Sequence, residues 1–217
     1  MTTTSRRVVI FEPDHRGHQT EYLEHILRYA DKHDRSIDWH IVGHRMLIDR
    51  FDLNAFQSAV TTHELQDAVA RSCMEGSYPS IDAARWKQMQ AAIADVDADH
   101  GLFLQLDSVQ LSLALRRRVA NDATVSGILF KPTVHYREAP SVRAWLRDIR
   151  KSVLYRAMML HPDLSTVFSL DPYFATFAQE HFHRGDITRF LPDPVPADSS
   201  AAEHPPPGFW TRNRVVF

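Results

Sequence analysis

The strongest constraint on the fold is an alternation that runs through most of the chain. Short apolar runs recur: "RRVVIFE" (6–12), "IDWHIVGH" (37–44), "HGLFLQL" (100–106), "TVSGILFKP" (124–132), "LSTVFSL" (164–170) and "ITRFL" (187–191). Segments of helical period separate them. Runs this short and this apolar read as strands buried on both faces, as in a parallel sheet covered by helices. Between the first two, residues 19–33 carry Tyr22, Leu23, Ile26, Leu27 and Ala30 as an inward helical stripe. Strand, helix and strand with short connections give a parallel unit with a right-handed crossover. The expectation is an α/β fold: a Rossmann-like open, mostly parallel sheet of about six to seven strands with helices on both faces.

Residues 45–100 are less regular and read as mostly helical. "THELQDAVARSCM" (62–74) places Leu65, Ala68, Val69 and Cys73 on one helical face, and Trp86, Met89, Ile93 and Val96 continue a helical period after a break at 75–80. Further helices are expected over 107–120, 141–160 and 171–182. The composition changes after Leu191, where "PDPVPADSSAAEHPPPGF" holds six of the twelve prolines. That stretch reads as a linker. The expected organisation is therefore one domain over 1–191, a Pro-rich linker over 192–209, and the opening of a second, truncated domain over 210–217.

Twenty-five basic and 27 acidic side chains leave a net charge of −2, so no bulk attraction to nucleic acid is implied. Cys73 is the single cysteine; it excludes an internal disulfide and fits a reducing compartment. "MTTTSRR" lacks the apolar core of a secretion signal, and no stretch of 18 apolar residues occurs. A cytoplasmic protein is expected. Residues 137–156 concentrate six basic residues against Glu138 and Asp148. A basic amphipathic helix over 142–159 can lie on anionic lipid, giving peripheral contact at the inner face of a membrane, or be a packed helix with a solvated face.

Ligands of open parallel sheets bind beyond the carboxyl ends of the strands. That rule selects Asp14 to His18, His44, Asp107 and Ser108, Lys131 to Arg137, and Asp171. The corner "DHRGH" (14–18) could offer backbone N–H groups to an anion, with Gly17 permitting close approach, or be only a strand-to-helix turn. His15 and His18 are spaced to chelate a metal, but no third ligand has suggestive spacing, so no metal is expected. Asp107 or Ser108 reads as the cap of a following helix. In "GILFKPTVHYREAP", Lys131 and Arg137 could steady an anionic group, and His135 could orient or accept a proton from a hydroxyl. The dinucleotide fingerprint and the P-loop are both absent.

In this order the motifs resemble the N-terminal, acceptor-side domain of GT-B glycosyltransferases, particularly the retaining family-4 type. "FEPDHRGHQTEYLEHIL" is similar to their first strand, glycine-bearing loop and first helix. "LFLQLDSVQLSLAL" and "GILFKPTVHY" are similar to the strand pair that ends in a histidine near the interdomain cleft. "VFSLDPYFATFAQEHF" resembles the later strand carrying a serine, here Ser169. "ITRFLPDPV" resembles the segment that enters the linker, with Asp193 and Pro194 in place of the usual Asn-Gly. Only Gly17 stands where the family usually has a glycine pair.

The resemblance implies transfer of a sugar from a nucleotide-sugar donor to a carbohydrate or lipid-linked acceptor, with no other cofactor. It assigns Arg16, Gly17, His18, Asp107, Lys131 and Arg137 to the acceptor cleft and His135 to the reacting sugar or hydroxyl. The family's Glu-x7-Glu signature belongs to the second domain and occurs nowhere here, so the donor would be held by that domain and residues 1–217 alone would be inactive. Two rivals stay open: a non-catalytic α/β module that binds carbohydrate or nucleotide, and a small flavodoxin-like or dehydrogenase-like enzyme.

Overall fold

A computed structural model describes residues 6–16, 19–130, 132 and 142–192, without the side chains at 54, 142–144, 147 and 148. Among these, seven strands form a single sheet in which every pairing is parallel. They are β1 (Arg6–Glu12), β2 (Ile37–His44), β3 (Val60–Leu65), β4 (His100–Phe103), β5 (Thr124–Leu129), β6 (Leu164–Ser169) and β7 (Thr188–Phe190). Their spatial order is β3-β2-β1-β4-β5-β6-β7. The chain thus leaves β1 first toward one edge and then, through β4, toward the other. β1 pairs Ile10 with Ile41 of β2 on one side and with Leu102 of β4 on the other.

β1 shows why the sheet is covered on both faces. Successive side chains of a strand point to opposite faces. Val8 and Ile10 pack with Leu23 and Leu27 of α1 (Gln19–His33), while Val9 and Phe11 pack with Trp86, Met89 and Ile93 of α4 (Tyr78–Val96). All eight remaining residues of this set are buried along with Phe11. α4 starts at Tyr78, with Pro79 in its first turn, where a missing N–H costs nothing. The other helices are α2 (Arg45–Ile48), α3 (Asp67–Ser72), α5 (Gln110–Ala114), α6 (Val142–Met159) and α7 (Phe174–Phe182).

Two sequence expectations are corrected. Residues 60–65 are strand β3, not the start of a helix over 62–74; α3 begins only at Asp67. β3 is an edge strand in which only Leu65 is buried, so it carries no apolar run. The helix expected over 107–120 is also much shorter. A 3-10 turn over Leu106–Val109 precedes α5, which ends at Ala114, and Arg116 turns left-handed with φ 52°. Arg116, Arg117 and Arg118 therefore follow the helix as an exposed basic segment.

β5 crosses the sheet beside the turn that follows β4, and Gly127 makes this possible. A Cβ there would lie 2.8 Å from the Phe103 carbonyl oxygen and 2.8 Å from Leu106 Cβ. Neither backbone nor a buried Leu106 can yield cheaply. Gly127→Ala is expected to cost about 1–3 kcal/mol, read as a lower urea midpoint with an unchanged m-value.

Candidate functional site

The site lies where the sheet order reverses, beyond the carboxyl ends of β1 and β4, the position at which open parallel sheets bind ligands. One wall is built by the corner after β1. Glu12, the last residue of that strand, is fully buried. Its Oε1 accepts from the Asp14 backbone N–H at 2.9 Å. Asp14 Oδ1 in turn accepts from the backbone N–H of Arg16 and from its Nε, each at 3.0 Å. Two side chains therefore fold the chain over at this point and present the exposed Arg16 guanidinium at the sheet edge. Desolvation pushes the Asp14 pKa up, but the hydrogen bonds and charge of Arg16 outweigh it and the net shift is downward.

Glu12 behaves in the opposite way. Burial pushes its pKa up to about 7, and the positive charge of Arg85 opposes the rise only in part. Its second oxygen, Oε2, is buried and has no hydrogen-bond partner among the described residues. At neutral pH the corner thus holds a carboxyl poised between its neutral and ionised forms.

Arg85 comes from α4 and is itself buried. Its Nε donates to the Cys73 carbonyl at 2.7 Å, and its Nη1 donates to Gln105 Oε1 at 3.1 Å and Ser108 Oγ at 3.0 Å. One guanidinium thereby ties the end of α3 to the turn after β4, which forms the second wall. Asp107 sits in that turn, half-buried and fully engaged. Its Oδ2 accepts from the Phe130 backbone N–H at 2.9 Å, and its Oδ1 accepts from the Tyr155 hydroxyl at 3.2 Å. The Asp107 carbonyl accepts from the Tyr78 hydroxyl at 3.3 Å. Burial, reinforced by the Asp107 charge, raises the Tyr155 pKa far above the usual phenol range.

Asp107 is accordingly a strut between the exits of β4 and β5 and helix α6. The expected cap role falls elsewhere: Asp82 of α4 accepts from the backbone N–H groups of Leu111 and Ser112 at 2.7 and 3.0 Å, and from the Ser112 hydroxyl. Ser108 keeps its hydroxyl in its own turn, donating to the Gln105 carbonyl at 2.6 Å. Ser169, at the end of β6, is buried and accepts from the Asp171 N–H at 3.1 Å, so it shapes the turn into α7. The His15 and His44 rings lie against one another with centroids 4.9 Å apart and a tilt of 31°, joining the corners after β1 and β2. Among the described residues no three His, Cys, Asp or Glu side chains are grouped to hold a metal ion.

Of the residues selected from sequence, Arg16 and Asp107 fall on the two walls of the same sheet edge. Gly17, His18, Lys131, His135 and Arg137 lie outside the described residues. Sequence reasoning missed Glu12, Arg85 and Gln105. The signal for Arg85 was available: Asp82, Arg85, Met89 and Ile93 share the inward face of α4, and charged residues rarely occupy core positions without partners. Compared with models of known protein families and with curated proteins, the chain matches none.

Proposed function

We propose that this chain is the acceptor-binding half of a glycosyltransferase that moves a sugar from a nucleotide-sugar donor to a carbohydrate or lipid-linked acceptor. The observation that carries the reading is the pairing of two polar corners, Glu12–Asp14–Arg16 and Gln105–Asp107–Ser108, at the order reversal of an all-parallel sheet. In this reading Arg16, exposed and oriented by Asp14, steadies an anionic or hydroxyl-rich acceptor. Glu12 supports the loop that carries it. The resemblance adds Gly17, His18, Lys131 and Arg137 to the cleft and His135 to the reacting hydroxyl, with the donor held by a second domain.

Titration of the chain with oligosaccharide and lipid-linked acceptors is expected to shift the amide resonances of residues 12–16 and 105–108. Arg16→Ala should weaken that binding about tenfold, or about 1.4 kcal/mol, while the loss of its exposed ion pair with Asp14 should lower stability by no more than about 1 kcal/mol. Acceptor binding that leaves those amides and the Arg16→Ala affinity unmoved would remove the site. Tight binding of a sugar nucleotide with no response to acceptors would favour the non-catalytic binding module instead.

A further inference from the structure

The outer face of α6 does not match an ordinary packed helix. At about 100° per residue, Trp145, Leu146, Ile149 and Val153 fall within one arc of about 100°, and all four are exposed, Trp145 at 61% and Val153 at 62%. Tyr155, Met158 and Met159 fall on another arc and are buried against the sheet. The helix thus buries one apolar face and leaves a second, containing a tryptophan, in water. A contiguous apolar stripe of this kind marks an interaction surface.

The charge around the stripe selects its partner. The sequence of α6 holds Arg143, Arg147, Arg150, Lys151 and Arg156 against Asp148 alone, a net charge of +4. Arg150 is exposed beside the apolar arc, and Arg156, also exposed, falls within the arc at its C-terminal end. A second basic segment converges on the same helix. α5 packs against α6, and the exposed residues Leu115 to Arg118 follow α5 directly. His161 Nε2, just past the end of α6, lies 2.9 Å from the Arg117 carbonyl oxygen, which fixes the arginine triplet at that end of the helix.

We infer that the outer face of α6, with Leu115 to Arg118, is a docking surface for an anionic lipid bilayer, on which the helix lies flat with Trp145, Ile149 and Val153 inserted among the headgroups. Apolar insertion and attraction of basic side chains to anionic headgroups add in such helices. The helix lies on the surface and does not cross it: among the described residues, none is long and apolar enough to span a membrane. This inference is independent of the transferase reading. It would hold equally for a binding module.

The test is co-sedimentation of the full chain with two sets of vesicles, one of phosphatidylcholine alone and one with phosphatidylglycerol as one lipid in three. The expected result is binding at least about tenfold stronger to the anionic vesicles, weakened by salt and accompanied by a blue shift of tryptophan emission that Trp145→Phe removes. The double variant Ile149→Glu, Val153→Glu changes only exposed side chains and should abolish binding while leaving the urea midpoint unchanged. Equal binding to both vesicle sets would overturn the inference, as would binding that survives the double variant. So would absence of vesicle binding together with a dimer that the double variant dissociates, because a second copy would then cover the face.

Discussion

Glu12→Gln is expected to make the protein more stable at alkaline pH and to remove one limb of its pH profile. The carboxyl has a pKa of about 7 in the folded chain against the ordinary 4.5 of the unfolded one. A group with a raised folded pKa contributes fully below the unfolded value and loses its contribution as pH rises through the folded one. The loss therefore falls between pH 4.5 and 7 and amounts to about 3 kcal/mol, a substantial part of the total stability of a domain. Glutamine keeps the carbonyl acceptor for the Asp14 N–H and cannot ionise.

Urea unfolding from pH 4 to 8.5 measures the effect as a difference between variant and parent. That difference should grow by about 3 kcal/mol across the interval. The difference matters because His100 works in the opposite sense. Desolvation and the charge of Arg6 push its pKa down to about 4, so its contribution is lost as pH falls from 6.5 toward 4. The two slopes oppose one another in the parent between pH 4.5 and 6.5, and substitution of Glu12 unmasks the rise due to His100. A difference that does not vary with pH would mean that Glu12 ionises as an ordinary surface carboxylate.

Six of the seven strands could be read from sequence, the inner ones because burial on both faces forces a mostly apolar run, as in "VVIF" of β1 and "VSGIL" of β5, and the edge strand β7 from "ITRFL" although only Thr188 of its three residues is buried. β3 could not. At the sheet edge its residues meet helices and solvent unequally, Thr61 and Glu64 are exposed, and the spacing of Leu65, Ala68, Val69 and Cys73 imitates a helical face across a strand-to-helix boundary. The location of the site was legible for a general reason, since strand ends at an order reversal form the ligand edge whatever the side chains are. The roles were less so. Asp107 looked like a local cap, but the cap is supplied by Asp82, about thirty positions earlier, while Asp107 binds Phe130 and Tyr155 from later elements. Such pairings depend on tertiary contacts that no local pattern records.

Arg85 is the residue whose removal should damage the site most. It is the only cation reaching the floor between the two polar corners among the hydrogen bonds described there, and each of its three acceptors belongs to a different part of the wall: Cys73 after α3, Gln105 after β4, and Ser108 in the 3-10 turn. Arg85→Met fills a similar volume but leaves the Cys73 carbonyl and the Gln105 amide oxygen without their donor in a buried setting. Unmet polar groups of this kind cost about 1–3 kcal/mol each, so a loss of about 3 kcal/mol or more is expected in urea unfolding. Arg85→Lys should recover only part of it, since an ammonium cannot reproduce the planar fork. The decisive readout is Glu12, because Arg85 is the charge that holds its pKa down. In Arg85→Met the side-chain carboxyl carbon of Glu12, followed by NMR, should titrate above pH 7. Destabilisation without that upward shift would make Arg85 a packing residue; both together make it the electrostatic partner that sets how the corner after β1 is charged.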